Sequence, residues 1–304
     1  MAVQDPNYLL SYDLNFIGGD WRGADFRGRD LRGAEFDYAD LRGAMLYRAT
    51  LDDASLFQAD LRNAMLDYTD MCRVSMHQAR LDGANLMHAR LIDSDLSHSS
   101  LADAWMPYAN LARSECFRAD FTNANLDDAW LEHARLERIQ APDARFNYAN
   151  LDSTDLFEAN LGGCSLIGAT LHASNLEQSR LHQVNLGFAD LQGTVMAGVQ
   201  MPEAVIAMAI AHDADWTEAV LVRCDLSNTE LCGSILRDAN CQKACMIGTD
   251  FTGADLTGTD CSDADATDAI FKYAIVLDTD FRSTTLTGTG LEAQDPEEAT
   301  IVDE

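Results

Sequence analysis

The feature that most constrains this sequence is a five-residue period that keeps its phase along almost the whole chain. A large residue, called the centre here, recurs every five positions from Phe16 to Leu291, and most of the 56 centres are Leu, Phe, Met, Ile, Val or Trp. A small residue stands two positions before most centres. A period of five fits neither the 3.6 residues of a helical turn nor the 2.0 of a strand. The sequence therefore predicts a repeat protein.

The segment 39–43 (Ala-Asp-Leu-Arg-Gly) shows the repeat in its clearest form. If each segment forms one side of a wide coil, the centre and the small residue point inward, and the other three positions face water. With this small-Asp/Asn-Leu/Phe-polar-polar motif, residues 14–291 resemble the pentapeptide-repeat family. The resemblance implies an all-β fold, a right-handed quadrilateral β-helix with four segments per coil. The 56 segments would then make about 14 coils.

The chain is expected to divide into five parts. A solenoid needs a cover over its open end, so the irregular residues 1–13 are predicted to be an N-terminal cap. The first part of the β-helix covers residues 14–200, and an acidic second part covers residues 216–291. Residues 201–215 are a candidate helical interruption. Residues 292–304, with six acids and a proline, are expected to be an acidic C-terminal tail.

Residues 201–215 (MPEAVIAMAIAHDAD) allow two interpretations. In a short helix packed on the coil, Pro202 lies near the first helical position, Glu203 lies in the first turn, and alanine favours the interior. This interpretation is favoured. If the coil continues instead, apolar side chains face water and need a cover, either the coil itself or a second copy of the chain in a homodimer. Those side chains are Val205, Met208 and Ile210.

The net charge of −29 is unevenly distributed along the chain. Residues 201–304 carry 21 acidic and 5 basic side chains, whereas residues 1–200 carry 29 and 16. This balance disfavours direct nucleic-acid binding and suggests a basic protein partner. Because no run of about 20 apolar residues is present, no membrane span is predicted.

The eight cysteines fit the repeat, and this favours a reducing, cytoplasmic location. Five of them occupy inward positions, where cysteine acts as a small apolar residue. The other three are expected to face outward: Cys72, Cys232 and Cys245.

The sequence contains no distinct catalytic or ligand-binding set. The seven histidines lack metal-ligand spacing, and no nucleophile elbow, phosphate-binding loop or dinucleotide fingerprint occurs in its required context. Acids are present in every coil, so no carboxylate pair stands out for glycoside chemistry. The chain is therefore predicted not to be an enzyme and to have no catalytic residue, cofactor or metal site.

Two sets of outward side chains are candidate partner-binding surfaces. Aromatic residues recur every 20 positions in a column, which is typical of a protein-binding face, although stacked rings could also serve only to stabilise the coil. Acids crowd the region before residue 291. The candidate aromatic column is Tyr68, His88, Tyr108, Tyr148 and Phe188. The candidate acidic surface is Asp250, Asp255, Asp260, Asp263, Asp265, Asp268, Asp278 and Asp280.

The favoured function is a non-enzymatic protein-interaction solenoid that binds a protein partner through these surfaces. An alternative follows from the resemblance, because some members of the family mimic DNA, bind a type II topoisomerase (DNA gyrase) and protect it from toxins or quinolone-like drugs. Residues 216–291 carry 12 acids and 5 bases over roughly 18 Å, where duplex DNA carries about 11 charges. Against this, 20 of the 50 acids occupy the motif position before a centre. A third alternative is a structural rod without a specific partner.

Overall fold

The computed structural model describes residues 14–291, in which each five-residue segment forms one side of a coil. Within each of two parts of the chain, 15–150 and 155–285, the residue before a centre pairs in parallel with the residue 20 positions further on, as Asn15 does with Glu35. The pairs are isolated single-residue β-bridges, so four segments complete one coil. The predicted β-helix with 20 residues per coil is confirmed. The predicted cap, 1–13, and tail, 292–304, lie outside the described residues.

The chain divides into two compact units, Met1–Thr154 and Asp155–Glu304. In the first unit the bridged residues follow one another every five positions over 15–150, and in the second unit they do so over 155–285. Both units therefore use the same repeat and the same 20-residue register. No helix among residues 14–291 is long and apolar enough to cross a membrane.

A tight turn follows each centre and sets the corner of the coil. The amide of Ala39, for example, donates to the carbonyl of the centre Phe36 at 3.0 Å. The residue two after the centre has a positive φ in every segment from 18 to 288. A positive φ at the third turn residue but not at the second is the signature of a type II turn. Forty of these residues are not glycine, although other side chains rarely adopt this conformation.

The acid or amide before each centre also has a structural role. The Asp120 carboxylate accepts the amide N–H of Thr122 at 2.9 Å, and the Asn85 side chain accepts that of Met87 at 3.1 Å. Asp and Asn favour such local bonds to the backbone two residues on. Much of the motif's acidity therefore orders the turn.

The core is formed by the centres and the small residues two positions before them. Leu41 and Ala39 are typical, with no more than 1% of either residue exposed. Rings on successive coils stack directly, and the Phe251 and Phe271 centroids are 5.0 Å apart. Each stacked pair buries apolar surface against the next coil and adds a ring contact.

Three centres are alanine, and each lies five residues before an aromatic centre. All six side chains are fully or almost fully buried. Because interiors are close-packed, a small side chain on one side of the coil leaves volume for a large one on the next side. The pairs are Ala141 with Phe146, Ala211 with Trp216, and Ala266 with Phe271.

The helix favoured for residues 201–215 is wrong, because this segment continues the coil without interruption. Ile206 and Ala211 are fully buried at centre positions, so the period of five continues to specify the core of this segment. Pro202 occupies the second residue of a turn, as do Pro107 and Pro142, and proline is favoured there in type II turns. The side chains that remain exposed are those expected for a continuing coil: Val205, Met208 and Ile210.

Candidate protein-interaction surface

Three residues of the predicted aromatic column form a continuous stack on the unit Met1–Thr154. The ring centroids of Tyr68 and His88 are 4.8 Å apart, and those of His88 and Tyr108 are 4.9 Å apart. Each residue is the third residue of its turn, with a φ near 60°. The 20-residue register therefore places three rings one above another, with about 5 Å between successive ring centroids. The Arg48 guanidinium extends this stack, 5.8 Å from the centre of the Tyr68 ring.

Tyr148 and Phe188 do not join this stack. In the first unit, Asp128 occupies the column position between Tyr108 and Tyr148, so the ladder of rings is interrupted there. Phe188 belongs to the unit Asp155–Glu304. Both rings are two-thirds exposed. The structure therefore brings together three of the five residues predicted for this column.

A second ladder of rings lies on another side of the same unit. Phe57 stacks on His77 at 6.0 Å, His77 contacts His98 edge to face at 5.3 Å, and His98 contacts Phe117 at 5.6 Å. Tyr38 joins the ladder through Phe57 at 5.4 Å. Phe57, His77 and Phe117 are the second residues of their turns, whereas Tyr38 and His98 are the third. A search at one fixed repeat position therefore misses the ladder, whereas comparing both turn residues of one side would reveal it.

An open groove of about 340 Å³ lies where the first ladder is interrupted, and it is called the Asp128 groove here. Tyr108 and Tyr148 lie before and after Asp128 in the column, and Trp130 comes from the adjacent side of the coil. Trp130 is about half exposed, so its indole face is accessible. The lining is completed by Ala129 and Asn150.

The predicted acidic surface contains two structurally different sets. Five acids precede a centre and accept the amide N–H two residues on, over 2.8–3.1 Å; they are Asp250, Asp255, Asp260, Asp265 and Asp280. Asp255 is almost buried and also contacts the Arg237 guanidinium at 2.6 Å. Burial raises the pKa of Asp255, but hydrogen bonds from Thr257 and Arg237 outweigh it, so the net pKa is lowered. These acids are largely engaged within the coil.

The second acidic set is exposed. Its members are the third residues of their turns, and no ion pair to them is present among residues 14–291. Their charge is therefore available to a partner. They are Asp263, Asp268 and Asp278.

Matches to the family model described as "Pentapeptide repeats" cover residues 12–46, 54–93, 94–138, 119–156, 144–183, 159–198, 214–253 and 249–288. Together these eight matches cover well over half of the chain.

The chain belongs to the pentapeptide-repeat family. Members of a fold family display varied surfaces on one scaffold, so membership alone does not specify a partner. No curated protein matches the chain.

Among solved structures, the chain is similar to HetL, a pentapeptide-repeat protein involved in heterocyst differentiation regulation in the cyanobacterium Nostoc sp. strain PCC 7120. The identity is 25%, covering 68% of this chain and 88% of HetL, with a TM-score of 0.35. It is also similar to QnrB1, a plasmid-mediated fluoroquinolone resistance protein. The identity is 13%, covering 70% of this chain and 90% of QnrB1, with a TM-score of 0.33. Rfr23 from the cyanobacterium Cyanothece 51142 shares 21% identity over 44% of this chain and 58% of its own, with a TM-score of 0.13.

The pentapeptide-repeat matches leave residues 199–213 uncovered. The coil continues there, and the departure lies in the outward residues, which are apolar at Val205, Met208 and Ile210. The sequence pattern is therefore atypical of the family in this segment, while the backbone follows the repeat.

Residues with potential reactivity show no organised site. No group of three or more metal-ligating side chains is present within residues 14–291. The eight cysteines, all within residues 14–291, form no disulfide. The prediction that Cys72 faces outward is wrong, because its small side chain is buried beside Asp52, whose carboxylate accepts the Cys72 amide at 2.9 Å. Burial raises the pKa of the Cys72 thiol.

Proposed function

We propose that this pentapeptide-repeat protein is a non-enzymatic interaction protein that binds a protein partner through the aromatic surface of the unit Met1–Thr154. The observation that carries the proposal is the Tyr68–His88–Tyr108 stack. Tyr148 lies in the same column two coils after Tyr108, beyond Asp128. The three tyrosines of this surface are 42%, 49% and 66% exposed. Rings this large and this accessible, arranged in a row, are typical of protein-binding faces.

Stacking favours binding as well as stability. Each ring in the ladder is held by its neighbours, so little side-chain entropy remains to be lost when a partner docks. Tyrosine offers a large contact area with only two rotatable side-chain bonds, and it is enriched among residues that dominate binding energy. The free face of Trp130 adds a further anchor beside the ladder.

The test is affinity capture with the full chain as bait, followed by direct binding measurements on each captured protein. The variant Tyr108→Asn with Tyr148→Asn removes two rings. Asparagine tolerates the positive φ at both positions, so the turns are kept. The matched control is Tyr273→Asn, because Tyr273 is an exposed ring at the same repeat position in the other unit.

We expect a partner that binds the wild type and the control at moderate salt but binds the double variant at least about tenfold more weakly, as expected for losing two aromatic anchors. Because the contact is largely apolar, the affinity should change little between 0.1 and 0.5 M salt. A partner that binds all three proteins equally would contradict the proposal.

A second candidate function is mimicry of DNA towards a type II topoisomerase such as DNA gyrase. The observation that favours it is the exposed, unpaired set Asp263, Asp268 and Asp278. The engaged acids weaken it, because Asp255 and Asp280 are paired with arginines inside the same unit. The available charge is therefore smaller than the acid count of residues 216–291 indicates.

A gyrase supercoiling assay tests this second candidate, with and without a fluoroquinolone and at two salt concentrations. Salt-sensitive inhibition or drug protection that is lost in the triple Asp→Asn variant of the exposed set would support it. The matched control replaces Asp103 and Asp143, which are exposed acids at the same repeat position in the other unit. No effect of the wild type at micromolar concentration would exclude this role.

We also propose that the protein functions in a reducing compartment such as the cytoplasm. This is supported by the eight free cysteines, five of which occupy inward positions of the coil.

A further inference from the structure

The Asp128 groove has the geometry of a ring stack with one ring missing. Tyr108, Asp128 and Tyr148 occupy the same column position on successive coils. In the intact stack, His88 lies between Tyr68 and Tyr108, with its centroid 4.8 and 4.9 Å from theirs. At about 4.8 Å per coil, Tyr108 and Tyr148 are about 10 Å apart in the direction of stacking. One planar group therefore fits between them at about the ring spacing of the intact stack.

The groove also contains a carboxylate without a partner in the protein. Asp128 is half-buried, and its side chain makes no hydrogen bond or ion pair with any residue of 14–291. Its neighbour Asp127, in contrast, contacts Arg145 at 2.5 Å and accepts the amide of Asn147 at 3.0 Å. A partly buried carboxylate without a protein partner is available to a cationic donor, and charge-assisted hydrogen bonds are the stronger ones.

The remaining lining adds to this preference. None of the six lining residues is basic, and Asn150 donates to the carboxylate of Glu132 at 2.7 Å, which places a second acid close by. The Trp130 face offers a third aromatic surface to a cation. The occupant must therefore be planar, cationic and rich in hydrogen-bond donors.

We infer that the Asp128 groove binds the guanidinium group of an arginine side chain supplied by a protein partner. The plane of the guanidinium stacks between Tyr108 and Tyr148, and its N–H groups donate to the Asp128 carboxylate. Lysine lacks the flat surface, and an uncharged aromatic ring leaves the carboxylate unpaired. This inference rests on the proposed function, since it specifies the chemistry of the partner at one position of the same surface.

The test uses the full chain and small ligands, so it does not require the partner. N-acetyl-arginine amide is titrated by calorimetry beside N-acetyl-citrulline amide, which has the same shape without the charge, and the amides of lysine and trimethyllysine. We expect millimolar binding of the arginine compound and binding at least about fivefold weaker for the other three.

Three variants locate the ligand. Asp128→Asn should weaken arginine binding at least about fivefold, and Asp128→Tyr should abolish it by completing the ladder of rings. Tyrosine already occupies the same turn position at Tyr108 and Tyr148, so that variant is expected to fold. Asp103→Asn, an exposed acid at the same repeat position on another side, should bind like the wild type.

Equal affinity for the citrulline compound, tighter binding of trimethyllysine, or full binding by Asp128→Tyr would each overturn the inference. The outcome is separable from that of the proposed function. If the partner depends on Tyr108 and Tyr148 but the arginine compound does not bind, the interaction surface stands and the arginine site falls. If the arginine compound binds and no partner depends on these rings, the arginine site stands and the proposed interaction surface falls.

Discussion

The guanidinium of Arg237 contacts the carboxylate of Asp255 at 2.6 Å, and only 12% of the Asp255 side chain is exposed. The hydroxyl of Thr257 donates to the same carboxylate at 2.6 Å and its amide at 3.0 Å. An acid that sequence assigns to the outer surface is thus enclosed by partners from its own and the neighbouring coil. Its charge stabilises the coil and is largely withheld from other molecules.

Removing the Arg237 guanidinium should change how the stability of the fold depends on pH. Burial raises the pKa of Asp255, but the hydrogen bonds from Thr257 and Arg237 lower it by more, so the folded-state pKa lies below the ordinary value near 4. The stabilisation is therefore present above about pH 4 and is lost as pH falls through the folded-state pKa. In Arg237→Gln, the urea midpoint should be clearly lower at pH 7, and the difference from the wild type should shrink at pH 3.

The control for this experiment is Arg282→Gln. Arg282 pairs with Asp280 at 2.6 Å, but its side chain is 83% exposed, and exposed pairs contribute little. Its urea midpoint at pH 7 should stay closer to the wild type than that of Arg237→Gln. The reverse order would contradict the role assigned to the enclosed carboxylate.

Substitutions at Trp216 and Ala211 should have coupled effects on the free energy of unfolding. Trp216→Leu leaves a cavity and should cost about 2–4 kcal/mol, reduced because the buried indole N–H has no hydrogen-bond partner in the described structure. Ala211→Leu overfills the same coil and should cost about 1–3 kcal/mol. The double variant should cost less than the sum by about 0.5–3 kcal/mol. Urea unfolding of the four proteins measures this coupling, and strict additivity would show that the two centres do not share volume.

The left-handed turn residues predict a stabilising substitution. Ala173 has a φ of 55° and is exposed, so it carries the cost of that conformation without a compensating side-chain contact. Ala173→Gly should stabilise the protein by about 0.5–1 kcal/mol, since glycine avoids a cost of about 1–2 kcal/mol but is more flexible when unfolded. Ala207 lies one position earlier in its turn without a positive φ, so Ala207→Gly should destabilise instead. Chemical denaturation distinguishes the two signs.

Thiol labelling should be slow at Cys232 although its side chain is partly exposed. Burial, together with the charge of Asp250, raises the pKa of Cys232 to about 11. At pH 8 its thiolate fraction is therefore small, and labelling should be at least about tenfold slower than for an unperturbed thiol. Asp250→Asn should accelerate labelling at Cys232, as measured by mass spectrometry of a time course. An unchanged rate would show that Asp250 does not control this thiol.

The repeat and its register could be predicted from the sequence because one position in five is decided by burial alone. Residues 201–215 show where that reasoning failed. Alanine and proline there agree with a helix on local propensity, but burial of Ile206 and Ala211 and the turn position of Pro202 favour the coil. Tertiary packing thus outweighed helix propensity, which is a weak preference for each residue.

The candidate surface was only partly predictable, because the repeat specifies which residues face outward but not what they contact. The Tyr68–His88–Tyr108 stack follows from spacing alone. The ion pair between Asp255 and Arg237 could not be predicted from the sequence. It depends on the side-chain rotamer of Arg237, which lies 18 residues away on the neighbouring coil. Asp128 was visible only as a gap in the aromatic column, and its lack of a partner could not be read from sequence.

The pairing of each residue with the one 20 positions on also governs how such a chain can change its length. Deleting 20 residues within a unit would join two equivalent corners and keep every later side chain on its original side. Deleting five would keep the core pattern but turn every later surface position by a quarter of a coil. Between Tyr108 and Tyr148, such a deletion would move the two rings to different sides. Duplication or loss of whole coils therefore preserves an inherited binding face, whereas single-segment changes replace it with a new one.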